Sequence, residues 1–389
     1  MPRTRITVIA RIGILVALIA VAATAFWLLR PLRTPADPGA VMRFITDGIK
    51  NCQAEQKILP CYRTMAEDML GKYTLPEIFT AVEQGERSPD ILAGCHSLMH
   101  FTGQAAFLRS RNVSQSLSEG NPVCFAGYYH GVLEEYLTEK RADADDPAIR
   151  AEVPQLCEPV KAQARKKYNE CLHGLGHALM FLTEDELPNS LALCDLLPTA
   201  DEQGWCYSGV FMENSTSATN RDHPSPYLRP DEPLYPCTIL DEQYLPMCYT
   251  LQSFYFAEIE KYDWEKTAAW CMKVPERHRW GCFHAIGQTQ VGFTQDENLM
   301  AENCALMPTD DGRTMCIRGA AGALFERYND GLKRMLELCA VTDPRDADAC
   351  YRTFLDTVQM AGVSETERQS LCAHVPEDLR AQCTAASEN

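Results

Sequence analysis

The hydrophobic pattern of the chain begins with an unbroken apolar run. Residues 12–29 (IGILVALIAVAATAFWLL) carry no charge, and Trp27 lies near the far end of the run. A stretch of this length is about what an α-helix needs to cross a bilayer, and an aromatic residue is typical of the membrane boundary. We therefore predict a transmembrane helix over residues 12–29, with the arginine-bearing residues 1–11 as a cytoplasmic N-terminus.

A second interpretation of this run is a cleaved signal peptide. Residues 23–25 (ATA) have the small-x-small form of a cleavage site. The apolar stretch continues beyond that site through Leu29, which favours a retained anchor. Both interpretations export the rest of the chain, so we predict a single-pass membrane protein whose bulk is periplasmic or extracellular. Residues 30–40 (RPLRTPADPGA) would then form a linker.

Beyond the linker, helix-sized apolar segments alternate with cysteines at a regular spacing. The 18 cysteines fall into nine neighbouring pairs. From Cys171 onward, the second members of the pairs follow one another at intervals of 35, 42, 34, 34, 34 and 33 residues. A period near 34 residues with two helix-sized segments predicts stacked helical hairpins. The pairs are Cys52/Cys61, Cys95/Cys124, Cys157/Cys171, Cys194/Cys206, Cys237/Cys248, Cys271/Cys282, Cys304/Cys316, Cys339/Cys350 and Cys372/Cys383.

The cysteines favour disulfides over metal ligation. The chain contains no C-x-x-C motif, which usually marks zinc or iron–sulfur ligands. Paired cysteines persist in oxidising compartments, and each pair would join the end of one helix to the next helix. The predicted fold class is therefore all-α, an α-solenoid of disulfide-stapled helical hairpins behind a single N-terminal transmembrane helix. Residues 41–190 form an atypical histidine-rich helical region, and residues 191–389 form regular repeats.

Glycine recurs three residues after a cysteine, at Gly127, Gly174, Gly209 and Gly319. Inside a helix, glycine costs about 1 kcal/mol relative to alanine. Its recurrence therefore predicts that a neighbouring helix packs closely at each of these positions.

Two segments resemble a known family of helical repeats. Residues 127–137 (GYYHGVLEEYL) and 319–331 (GAAGALFERYNDG) are similar to the Sel1-like branch of the tetratricopeptide superfamily, in its secreted, disulfide-stapled form. The resemblance extends over about residues 157–383, and it departs from the family in a longer loop between the cysteines and a weak alanine signature. It implies a helical-repeat fold that binds an envelope protein partner on its concave face, and it carries over no catalytic residue.

The charge of the chain excludes one class of partner. Lys and Arg total 36 against 53 Asp and Glu, which makes the net charge −17. So acidic a surface repels phosphate backbones, and we therefore predict no nucleic-acid partner. Hydrophobic residues make up 46% of the chain, enough for a large core, which excludes intrinsic disorder.

Candidate chemistry lies in the histidines, since five of the nine fall between residues 96 and 177. Three segments each place two potential metal ligands four residues apart, and such residues lie on one face of a helix. Imidazole and carboxylate suit Zn, Cu or Fe. We therefore predict a transition-metal site, with one residue, Glu134, as either a ligand or the catalytic general base. The predicted metal ligands are His96, His100, His130, Glu134, His173 and His177.

Several interpretations of these histidines remain open at this point. They could serve two metals, one metal with neighbouring acid–base groups, a metal-free pocket, or a purely structural network. The predicted function is a metal-dependent enzyme of unknown substrate, and the alternative is a non-enzymatic scaffold of the cell envelope. Three further residues, Glu213, His284 and Glu326, are interpreted as helix-surface or structural residues.

Overall fold

The computed structural model describes residues 35–85, 88–140, 144–216, 225–328 and 330–385, and these ranges contain helices and no β-strand. The all-α part of the predicted fold class is confirmed. The helices of the first half are α1 Pro38–Gln53, α2 Ile58–Lys72, α3 Leu75–Gly85, α4 Pro89–Leu92, α5 Cys95–Ser110, α6 Val113–Ser118, α7 Gly127–Lys140, α8 Pro147–Glu152, α9 Glu158–Lys161, α10 Arg165–Leu182 and α11 Leu187–Cys194. Those of the second half are α12 Ala200–Thr216, α13 Leu245–Ile259, α14 Trp264–Cys271, α15 Arg279–Phe293, α16 Glu297–Ala305, α17 Asp310–Arg327, α18 Gly331–Val341, α19 Pro344–Met360, α20 Glu365–Cys372 and α21 Glu377–Thr384.

The helices form two layers of a repeat stack. The long helices α5, α7, α10, α12, α13, α15, α17 and α19 pack in chain order, each against the next. The shorter helices α11, α14, α16 and α18 pack against the long helices that flank them in sequence. Each hairpin therefore buries its apolar side chains against its neighbours, which is the packing typical of a helical-repeat protein.

The cysteine pairing predicted from the sequence is confirmed. All nine neighbouring pairs form disulfides with Cα–Cα distances of 5.4–5.8 Å, and no cysteine is free. In the later repeats, the bond joins the last turn of a short helix to the next long helix, as between Cys271 of α14 and Cys282 of α15. A loop of about ten residues closed in this way contributes roughly 2–3 kcal/mol through the unfolded state. The disulfides also indicate an oxidising environment.

Glycines let the long helices touch backbone to backbone. A Cβ at Gly131 would lie 1.8 Å from the His100 carbonyl oxygen, and one at Gly209 would lie 1.9 Å from that of His173. No side chain fits in such a space, so the close approach predicted at Gly209 is confirmed, and Gly131 makes a contact of the same kind. These contacts place the side chains next to each glycine close to the side chains of the neighbouring helix.

The predicted membrane span requires a correction. No helix in the described ranges combines the length and the apolar character needed to cross a bilayer. Even the two longest, α10 and α17, contain several charged residues. This finding contradicts the part of the fold class that placed the solenoid behind a transmembrane helix, and the single-pass membrane localisation with it. Residues 12–29, on which the span was predicted, lie outside the described residues.

The glycine contacts predict opposite effects for two substitutions in α17. A Cβ at Gly319 would lie 1.9 Å from the His284 carbonyl oxygen, whereas one at Gly322 would meet nothing within 4 Å. We expect Gly319→Ala to destabilise the protein by about 1–3 kcal/mol through overpacking. Gly322→Ala should stabilise it by about 0.5–1 kcal/mol, because alanine favours the helix. Urea unfolding of both variants measures the difference, and equal effects would contradict the close packing.

Candidate metal centre

Three adjacent helices bring the predicted histidines together. The helix α7 packs between α5 and α10, and its His130 lies at the centre of the resulting cluster. The His130 ring centroid is 5.3 Å from that of His96, 6.3 Å from His100, 5.5 Å from His173 and 4.4 Å from His177. These five imidazoles, with Glu134, are called the histidine cluster below. All six predicted site residues therefore lie in one place, while their role as metal ligands stays a prediction.

Within the cluster, three histidines could hold one metal ion. His130, His173 and His177 each offer a ring nitrogen, and these nitrogens lie within 4.8 Å of one another. Among the described residues this is the one such group of three or more. His130 is 4% exposed and His177 is 8% exposed, so the three-histidine group is largely removed from solvent.

The separation of two of these nitrogens matches that of metal ligands. His173 Nε2 and His177 Nε2 lie 3.2 Å apart. Two imidazole nitrogens that bind one tetrahedral zinc at about 2.0–2.1 Å are themselves about 3.3–3.4 Å apart. The two rings therefore need almost no movement to share an ion.

The opposite nitrogens of the same two rings are held by polar partners. His177 Nδ1 lies 2.6 Å from Glu213 Oε2, and His173 Nδ1 lies 2.7 Å from Ser208 Oγ. Ser208 donates its one hydrogen to the Trp205 carbonyl at 2.6 Å. His173 Nδ1 must then donate to Ser208, and His177 Nδ1 donates to the Glu213 carboxylate. Partners of this kind orient metal-binding histidines and fix their tautomer.

These tautomers leave unshared electron pairs facing each other. Each ring has its hydrogen on Nδ1, so the Nε2 atoms of His173 and His177 present lone pairs across the 3.2 Å gap. His130 Nε2 is also buried and has no hydrogen-bond partner. A cation between the nitrogens relieves this arrangement. Burial lowers the pKa of His130 and His173 well below the usual value, which disfavours a proton as that cation.

The other side of the histidine cluster contains a different arrangement. His96 Nδ1 donates to the Cys124 carbonyl at 3.0 Å, and burial lowers the pKa of His96 to about 4. His100 Nε2 lies 2.8 Å from Glu134 Oε2, and these two side chains are 21% and 18% exposed. Predicted ligands His96, His100 and Glu134 thus lie outside the three-nitrogen group. His100 and Glu134 form an imidazole–carboxylate pair, and His96 is a neutral histidine beside it.

Sequence reasoning missed Glu213 and Ser208. From the sequence alone, Glu213 is predicted to be a helix-surface charge. Burial acts to raise its pKa, but the hydrogen bond and charge of His177 outweigh burial and hold that pKa below the usual value. The signal lay in the glycines, since the contact of Gly209 with α10 sets the register in which α12 faces the two histidines.

Comparison with known proteins gives no further guide. The chain matches no protein-family model, no curated protein and no solved structure. The Sel1-like resemblance accordingly stays a prediction, and the assignment of function rests on the geometry above.

The lowered pKa of His96 predicts a loss of stability in acid. In metal-free protein, folded His96 stays neutral down to about pH 4, whereas the unfolded chain binds a proton near pH 6.5. The contribution is therefore complete above pH 6.5 and is lost as the pH falls towards 4, by at most about 3 kcal/mol. Urea unfolding with a chelator present, between pH 7.5 and 4.5, measures this slope.

A matched pair of variants isolates the histidine responsible. Asn at position 96 can still donate to the Cys124 carbonyl but does not titrate, so His96→Asn should show a shallower pH dependence. His374→Asn, at an exposed site, should leave the slope unchanged. A slope that is the same in His96→Asn and the parent protein would contradict the burial of a neutral His96.

Proposed function

We propose that this protein is a metal-dependent enzyme of an oxidising compartment, with one transition-metal ion held by His130, His173 and His177. The observation that carries the proposal is the convergence of one ring nitrogen from each of these three histidines within 4.8 Å. The Nε2 atoms of His173 and His177 face each other at 3.2 Å, and His130 Nε2 is buried without a hydrogen-bond partner. The nine disulfides occupy every cysteine, so thiolates do not compete as ligands.

Three imidazole ligands favour zinc, with copper or iron as the alternatives. In catalytic zinc sites, three protein ligands leave one position for water or substrate. A metal in such a site supplies Lewis acidity and makes bound water a nucleophile near neutral pH. The reaction class that this chemistry supports is metal-assisted hydrolysis or hydration.

The pair His100–Glu134 is the proposed proton acceptor. Its two side chains lie beside His130 and are partly exposed, so a proton taken up from the reaction can pass on to solvent. In this proposal Glu134 is the general base, and His100 orients it through the 2.8 Å contact.

A second candidate function is a scaffold that binds an envelope protein, as the Sel1-like resemblance implies. A surface group of three aromatic residues favours it. Tyr262, Trp264 and Phe293 have ring centroids 4.3–6.4 Å apart, and Phe293 is 58% exposed. Exposed aromatic side chains are enriched at protein interfaces. Under this alternative the histidine cluster would be a structural network without a metal.

Zinc binding decides between the two functions. Disulfide-intact protein titrated with zinc sulfate against a chromophoric chelator should bind one equivalent. His173→Asn and His177→Asn should each remove that binding, and Glu213→Gln should weaken it by about 10- to 100-fold. His100→Asn and the control His284→Asn, in α15, should retain it. Protein that binds no zinc, copper or iron, or that binds equally well without His173, would leave the scaffold.

Hydrolysis of 4-nitrophenyl acetate tests the catalytic part of the proposal. We expect the zinc-loaded protein to hydrolyse this activated ester and to lose the activity with a chelator. Glu134→Gln should lower the rate by about 100-fold or more, because general-base catalysis typically contributes that much. It should keep one equivalent of zinc. A Glu134→Gln variant with the parent rate would remove Glu134 from the mechanism.

A further inference from the structure

One arginine from a distant repeat reaches the histidine cluster. Arg327 is the last residue of α17, and its guanidinium carbon lies 4.8 Å from the centroid of the Phe125 ring. The Phe125 ring in turn lies 6.4 Å from that of His96. Arg327 therefore stands beside the cluster, although its helix is separated from the cluster by several hairpins.

A contact between α10 and α17 holds this arginine in place. The Lys166 ammonium donates a hydrogen bond to the Glu326 carbonyl, across a sequence separation of 160 residues. Glu170 lies one turn further along α10, on the face that also bears His173. The last turn of α17, which bears Arg327, therefore lies beside the face of α10 that bears His173.

Among the described residues, Arg327 forms no hydrogen bond and no ion pair. Its guanidinium group instead lies over the Phe125 ring. Other arginines of low exposure are paired. Arg334 binds Glu297 at 2.7 Å, and Arg313 binds Asp346 at 3.1 Å. Arg327 is partly buried, and burial lowers its pKa. An arginine in these surroundings gains from a bound anion, and its planar N–H fork suits carboxylate or phosphate.

The acidic residues nearby do not fill this role. Glu170 and Glu326 lie near enough to affect the pKa of Arg327, but neither forms an ion pair with it. Burial, and then the charge of Glu326, raises the pKa of Glu170 to about 7. The Glu170 carboxyl therefore takes up a proton more readily than usual, and a protonated carboxyl can donate to an anion.

We propose that Arg327, stacked on Phe125, forms an oxyanion subsite beside the histidine cluster, and that the substrate carries a carboxylate or phosphate group. The part of this inference that concerns a substrate rests on the proposed function. The anion would bind the guanidinium through two parallel hydrogen bonds, with its remaining atoms directed towards the histidine cluster. The strongly acidic chain offers anions no long-range attraction, so recognition depends on this local group.

Calorimetric titration of metal-free, disulfide-intact, full-length protein tests the subsite. Sodium phosphate and sodium acetate serve as separate probes, and the one that binds more tightly identifies the headgroup. We expect Arg327→Gln to weaken binding of that probe at least tenfold. Arg318→Gln, on the same helix and paired with Thr353, should change it less than threefold. Binding of neither probe, or equal losses in both variants, would overturn the proposal.

Two further measurements keep the outcome interpretable. Arg327→Lys keeps the charge but not the two-pronged donor, so it should bind more weakly than the parent and better than Arg327→Gln. Melting curves of all three variants identify any that fail to fold. If Arg327→Gln fails to fold, anion binding by Arg327→Lys decides whether the subsite exists. Anion binding by a protein that takes up no metal would refute the proposed function and leave the subsite standing. Conversely, zinc binding by the parent protein together with unchanged anion binding in Arg327→Gln would support the proposed function and refute the subsite.

Discussion

The arrangement of the site depends on the close approach of helix backbones at glycine. At Gly131 and Gly209, the neighbouring carbonyl oxygen occupies the space where a Cβ would stand. Helices packed this closely carry their flanking side chains into the same volume. The imidazoles of α5, α7 and α10 meet for this reason, and the same contacts bring Ser208 and Glu213 of α12 against the far nitrogens of two of them.

The disulfides help the folded stack to tolerate this buried polar centre. A group of buried, neutral imidazoles with opposed lone pairs is unfavourable, since each ring loses its water and two nitrogens repel each other. Glycine inside helices adds to the cost. Nine covalent loops offset such losses by restricting the unfolded chain, so the folded stack can retain a polar centre that its apolar packing alone would disfavour.

Local features of the structure could be predicted from the sequence, because they depend on residues close along the chain. The cysteine spacing identified the hairpins, and the separation of four residues placed His173 and His177 on one face. Features that depend on contacts between helices could not. The pairing of His177 with Glu213 depends on helix register, and Arg327 reaches Phe125 through packing summed over many hairpins. The apolar run at residues 12–29 predicted a membrane helix, and no helix of the described ranges meets that requirement.

The contact between Lys166 and Glu326 suggests that the intervening hairpins affect the distance between Arg327 and the histidine cluster, although they contribute no residue to that cluster. In a simple stack, each repeat contacts only its neighbours, and the two ends move independently. Here Lys166 of α10 also contacts Glu326 of α17, so the helices from α11 to α16 lie between two positions that touch. Their lengths and tilts determine how far a guanidinium stands from an imidazole. In the proposed subsite, repeats that contribute no histidine to the cluster would thereby set the distance between a bound anion and the imidazoles.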